Sequence, residues 1–144
     1  MANKPVRLGH YNKYSLVEQT AVSGSGFKDW YLPHEKIPVI VVDSFPSLGR
    51  LVAARFIEWA QRNPGGVVSL PTGKTPEHFI KWVEYILLNW RAQQTRRLLE
   101  KWLIDPGHRP DIGSLHFVQI DEFYPIEPTQ HNSFYYYVNK FYMG

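Results

Sequence analysis

Apolar residues in this 144-residue chain fall by turns into short continuous runs and helix-spaced sets. Ile37 to Val42, with β-branched Val39, Ile40, Val41 and Val42, reads as a fully buried strand. Ser44 follows as a helix N-cap. Leu48, Leu51, Val52, Phe56 and Trp59 then keep helical spacing until Asn63-Pro64-Gly65-Gly66 stops them. Val67, Val68 and Leu70 form a second apolar run, which ends in the loop Pro71-Thr72-Gly73-Lys74-Thr75. Phe79, Trp82, Val83, Ile86 and Leu87 predict a helix from Pro76 to about Arg91. Leu98, Leu99, Trp102 and Leu103 line one face of a further short helix, with Arg96, Arg97 and Lys101 outside as a solvated rim. Asp105-Pro106-Gly107 and Arg109-Pro110 are turn chemistry. Leu115 to Ile120 reads as a third strand ending abruptly at Asp121-Glu122, and Ser133 to Tyr142 as an aromatic C-terminal helix.

Strand, helix, strand, helix, strand, helix is the order of an α/β protein with an open parallel sheet. Right-handed crossovers then give a Rossmann-like arrangement with helices on both faces. The domain is expected to span residues 37–144, preceded by an irregular N-terminal extension over residues 1–36 that includes Ser23-Gly24-Ser25-Gly26. In such sheets a ligand lies beyond the carboxyl ends of the strands. Two of the three strand ends carry chemistry: the Thr72–Thr75 loop after the second and Asp121-Glu122 after the third. If those strands are neighbours, the loop and the carboxylate face one cleft.

Composition narrows the classes. Sixteen basic against thirteen acidic residues leave a formal charge of +3 without a face-long basic run, which gives nucleic acid little to bind. With no cysteine there is no disulfide, thiolate catalysis or cysteine-ligated zinc, which fits a cytoplasmic protein. No apolar leader follows Met1 and no run reaches membrane-spanning length, so neither a signal peptide nor a membrane partner is expected. Neither a metal site nor a cofactor is expected. The aromatic content, 15% of the chain, is high.

The strand, tight glycine turn and helix start around Gly73 bring backbone N–H groups and the positive end of a helix dipole to one point, which suits a phosphate. Gly73-Lys74-Thr75 also looks like the second half of a nucleotide P-loop. That motif needs a glycine five positions earlier, where Val68 stands, and Pro71 removes one donor, so ATP is not expected. The bland alternative is an ordinary strand-to-helix turn capped by Thr75. For Asp121 it is a carboxylate accepting backbone N–H bonds after the strand. Glu122, pointing to the opposite side if strand alternation persists, reads as structural. At helical spacing the Tyr135–Tyr137 cluster reads mostly as core, His131 as a loop histidine and His116 as a packed strand histidine.

Leu70-Pro-Thr-Gly-Lys-Thr-Pro76, Asp121-Glu-Phe123 and His131-Asn-Ser-Phe-Tyr-Tyr-Tyr137, in this order, resemble the glucosamine-6-phosphate deaminase family, which groups with the 6-phosphogluconolactonases. The resemblance covers roughly residues 37 to 142. It implies conversion of glucosamine 6-phosphate to fructose 6-phosphate plus ammonia, with a phosphorylated amino sugar as the partner molecule. It further implies that Thr72, Gly73, Lys74 and Thr75 hold the sugar phosphate and that Asp121 moves a proton between C2 and C1. Glu122, Ser133 and Tyr135 become candidate substrate-lining residues. Lactonases of the group resemble Asp-Glu-Arg at the second motif, and Phe123 here favours the deaminase–isomerase branch over a lactonase. A non-catalytic sugar-phosphate-binding module is the alternative from another class.

Three departures stand out. Lys74 replaces the family's usual second glycine, and the connection from about Trp90 to Leu115 is long. The family's downstream Asp-Gly-His motif, which supplies the ring-opening histidine, is not found. None of His10, His34, His78, His108, His116 and His131 has that context. The resemblance therefore implies the N-terminal part of such an enzyme, catalytically silent alone, associating with a C-terminal half or as a homo-oligomer.

Overall fold

The computed structural model describes residues 15–25 and 40–143. The first helix, α1 (Leu16–Gly24), begins at Ser15, whose hydroxyl accepts from the Glu18 amide. It lies inside the segment expected to be irregular, and Ser15-Leu-Val-Glu18 is the capping-box pattern that starts it. α2 (Phe45–Arg62) starts where expected, Ser44 accepting from the Ser47 amide, and ends at Asn63 before Gly65 takes a positive φ of 70°. α3 (Glu77–Leu88) and α4 (Gln93–Lys101) follow, each within the predicted helical stretch.

These helices make the core. Ala53, Ala54 and Ile57 of α2 and Phe79 and Ile86 of α3 are buried together with Val17, Leu51, Trp90, Leu99 and Ile104. α2 and α3 meet at Gly49, where an added Cβ would lie 2.5 Å from the His78 Cβ and 2.8 Å from the Phe79 nitrogen. Only a residue without a side chain permits that approach. Phe56 and Phe79 close the seam edge to face, 5.7 Å apart.

α1 docks through charge as well as Val17. The buried Glu58 carboxylate accepts from the Ser15 hydroxyl (2.7 Å), the Leu16 amide (2.7 Å) and Arg62 (2.9 Å). α4 ends in a Schellman arrangement: the Ile104 amide donates to the Leu99 carbonyl and the Leu103 amide to Glu100. Leu103 stands at φ 56°, where glycine is usual.

The sheet is parallel but short. β1 (Val67–Val68) pairs with β2 (His116–Phe117) in the register Val67↔His116 and Val68↔Phe117. The Val118 amide donates to the Val68 carbonyl at 2.9 Å, and the Ser69 hydroxyl to the Val118 carbonyl at 2.6 Å, carrying the pairing beyond the strands. The protein is thus mixed helix and strand, mostly helical. The open sheet with helices on both faces is not seen, for two reasons. Of the predicted first strand, Ile37–Val39 lie outside the described residues, and residues 40–42 form no strand, Ile40 and Val42 packing on the core. Moreover, the outward positions Val67, Val118 and Ile120 are 65%, 51% and 70% exposed, so among the described residues only one sheet face is covered. His116, expected to be packed, is on that exposed face.

The C-terminal segment is helical as expected, α5 (Phe134–Val138) passing into a wider i→i+5 turn over Asn139–Met143. Among the described residues no helix is long and apolar enough to cross a membrane.

Candidate functional site

Because β1 and β2 are parallel neighbours, the loops leaving them start from the same end of the sheet. The first runs through Pro71-Thr72-Gly73-Lys74-Thr75. Gly73 has φ 94°, a conformation that favours glycine, and a Cβ there would meet nothing within 4 Å. The constraint is therefore backbone conformation rather than space. The Glu77 amide closes a turn onto the Lys74 carbonyl at 3.2 Å. The residue at the N-cap position of α3 is Pro76, with no side-chain cap, so Thr75 does not fill the capping role. Thr72 is half-buried, while Gly73, Lys74 and Thr75 are exposed. Among the described residues, the N–H groups of Thr72, Gly73, Lys74 and Thr75 have no acceptor.

The second loop carries Asp121 and Glu122, which the structure treats differently. Asp121 is exposed, and its carbonyl accepts from the Gln119 side-chain amide at 2.8 Å. Glu122 is turned to the start of α5. Its Oε2 accepts from the Ser133 hydroxyl (2.7 Å) and the Tyr135 amide (2.8 Å), and its Oε1 from the Phe134 and Phe123 amides (both 3.0 Å). Desolvation pushes the carboxyl pKa up. The bonds from Tyr135, Phe134, Ser133 and Phe123 together outweigh it and hold the pKa at about 2, against an ordinary 4.5. The carboxylate thus serves as an added cap for orphan helix donors. Ser133 is buried and itself accepts from the Tyr136 amide at 3.2 Å. Tyr135 is exposed, and Phe134 packs at a tilt of 43° against Phe123 with ring centres 4.8 Å apart.

α5 and the turn after it also reach the glycine loop. The Tyr137 hydroxyl donates to the Gly73 carbonyl, and the Tyr142 hydroxyl to the Pro71 carbonyl at 2.7 Å. Burial raises the pKa of both phenols, helped at Tyr137 by the Glu77 charge and at Tyr142 by Tyr137, so both remain protonated donors at neutral pH. The sequence reading grouped Tyr137 with a packed aromatic cluster and missed these bonds. The available signal was a hydroxyl-bearing aromatic at both 137 and 142, one helical turn and a residue apart.

The structure thus gathers Thr72–Thr75, Glu122, Ser133 and Tyr137 around one end of the sheet, with Asp121 and Tyr135 exposed beside them. A separate open hollow of about 400 Å³, lined by Arg91, Gln93, Arg96, Arg97 and Glu100, lies on the solvated rim of α4. Among the described residues no cluster of histidine, aspartate and glutamate could hold a metal ion. Compared with protein-family models, curated proteins and solved structures, the chain has no match.

Proposed function

We propose that this chain binds the phosphate of a phosphorylated amino sugar at Thr72, Gly73, Lys74 and Thr75, in a deaminase/isomerase-like site to which Asp121 contributes the proton-transfer carboxylate. What supports this reading is the parallel pairing of β1 with β2, by which both chemistry-bearing loops leave the same end of the sheet. The loop offers N–H groups without acceptors, a glycine in the conformation such a turn needs, and a helix N-terminus just beyond it. In the chemistry proposed, the phosphate anchors the sugar so that C1 and C2 lie against the Asp121 carboxylate. A carboxylate is a weak base in water, so its usefulness depends on position against the acidic C–H and on partial desolvation. We further propose the finer fold, an open Rossmann-like parallel sheet, and a cytoplasmic setting for the substrate.

One observation favours a second reading. Asp121 is exposed, without the desolvation a general base requires, which suits a sugar-phosphate-binding module that performs no chemistry. Titration with fructose 6-phosphate, followed by backbone amide shifts, tests the binding both readings share. Saturable shifts confined to residues 72–75 and the start of α3, lost in Gly73→Val, are expected. No response at millimolar ligand overturns it. Turnover of glucosamine 6-phosphate separates the two. In an enzyme that contains this segment together with the ring-opening histidine, the enzymatic reading expects Asp121→Asn to reduce ammonia release by about 10² or more with binding retained, whereas the module expects Asp121→Asn to leave it unchanged.

A further inference from the structure

The two loops of the candidate site are both fastened to α5 and the turn after it. Glu122, adjacent to Asp121, holds the α5 N-terminus through Ser133, Phe134 and Tyr135. One and two turns further along, Tyr137 and Tyr142 hold the glycine loop, bonds that span 64 and 71 residues of sequence. The atoms they hold matter. In a planar trans peptide the C=O and N–H point in opposite directions. The Gly73 carbonyl shares its peptide plane with the Lys74 N–H, and the Pro71 carbonyl shares its plane with the Thr72 N–H. Tying both carbonyls back toward α5 aims both amides the other way, out of the loop.

We infer that Tyr137 and Tyr142 are positioning residues for anion capture: their hydroxyls set the two peptide planes whose N–H groups face the ligand, and Glu122 fixes the helix that carries them. This rests on the phosphate reading above and adds to it a group of residues that need not touch the ligand. It also accounts for the conformation of a loop whose N–H groups at residues 72–75 have no acceptor among the described residues. A loop free to rotate its peptides would lose ordering entropy on binding, whereas one held by half-buried, protonated phenols has lost much of it already.

The test is an amide-detected titration of the full chain with inorganic phosphate, in the wild type, Tyr137→Phe, Tyr142→Phe and Glu122→Gln. Each tyrosine substitution removes one hydroxyl and leaves the ring packing, so folding should survive. Spectra outside residues 70–76 and 133–143 serve as the control. Expected are saturable wild-type shifts and a loss of affinity of roughly threefold to tenfold for each tyrosine variant, the size of one net hydrogen bond. The Lys74 amide should be the one most changed in Tyr137→Phe and the Thr72 amide in Tyr142→Phe. Glu122→Gln should weaken both together. Equal affinities across wild type and tyrosine variants, with or without a lowered melting midpoint, overturn the inference and leave the phosphate reading standing. A wild type that does not bind phosphate or fructose 6-phosphate removes both.

Discussion

The helical layer and the loop end of the sheet are held together in different ways. Around Ile57, Ile86 and Leu99 the chain is fastened by apolar side chains with almost no exposure, and by a helix approach close enough to exclude any side chain at Gly49. Around Gly73 and Glu122 it is fastened by directional bonds, and the neighbouring Val118, Ile120 and Tyr124 are open to solvent. Burial is non-directional and scales with area, so it supplies stability without fixing the angle of any one peptide. Hydrogen bonds contribute less net stability each, but they set orientation. The first region should therefore govern whether the protein folds, and the second what its loops can bind.

The largest effects that could break this division are core truncations. Ile57→Ala deletes a fully buried side chain facing α3 and should cost about 2–5 kcal/mol, read as a lower midpoint in chemical denaturation. Loss of phosphate-induced shifts at 72–75 under conditions where Ile57→Ala remains folded would show that the two regions are not separable. Gly49→Ala comes next. Its methyl would need His78 and Phe79 to move, with a cost of about 1–3 kcal/mol and the same expected indifference at the loop.

Where the two regions differ in construction, they also differed in legibility. α2 is readable as a helix because Ser44, the helical spacing of Leu48, Leu51, Val52, Phe56 and Trp59, and the Asn63-Pro64-Gly65 stop all agree, although Leu48 and Val52 are exposed and Ala53, Ala54 and Ile57 are buried instead. The C-terminal helix was readable only as a helix. Nothing local to Tyr137 and Tyr142 announces that their hydroxyls end on carbonyls 64 and 71 residues away. The same holds for Glu58, whose partners Ser15 and Leu16 lie on another helix. Strand lengths were overread, since an apolar run such as Leu115–Ile120 reports burial potential, whereas a ladder needs a neighbour of matching length. Alternation along a strand separates Glu122 from Asp121 only as an expectation, since β2 ends at Phe117, and the role of Glu122 as a helix cap needs the fold to be seen.

A smaller and more local effect comes from acid. The Glu122 pKa is depressed in the folded protein, so its contribution is fully present above the unfolded value near 4.5 and is lost as pH falls from there through about 2. The Phe134 and Tyr135 amide resonances should titrate with a midpoint near 2, and in Glu122→Gln this titration should vanish. A midpoint near 4.5 in the wild type would mean that the clasp at the start of α5 is not formed, and the contrast between the regions would lose its directional half.

The smallest effect sharpens the comparison from the other side. Among the described residues, the one non-glycine at positive φ is Leu103, at the end of α4 and not in the candidate site, where Gly73 takes the unusual conformation without a Cβ penalty. Leu103 is largely exposed, so its side chain returns little packing for the strain. Leu103→Gly removes the Cβ conflict and keeps both Schellman bonds, those of the Leu103 and Ile104 amides. Against this stands the larger entropy glycine brings to the unfolded chain, so the net gain should be modest, about 0.5–1 kcal/mol in denaturant unfolding. Phosphate shifts at residues 72–75 should be unchanged, because the relieved strain belongs to the helical layer. A loss of stability would mean that the Leu103 side chain contributes contacts that outweigh its backbone cost. A change at the loop would mean that the rim of α4 and the glycine turn are mechanically coupled.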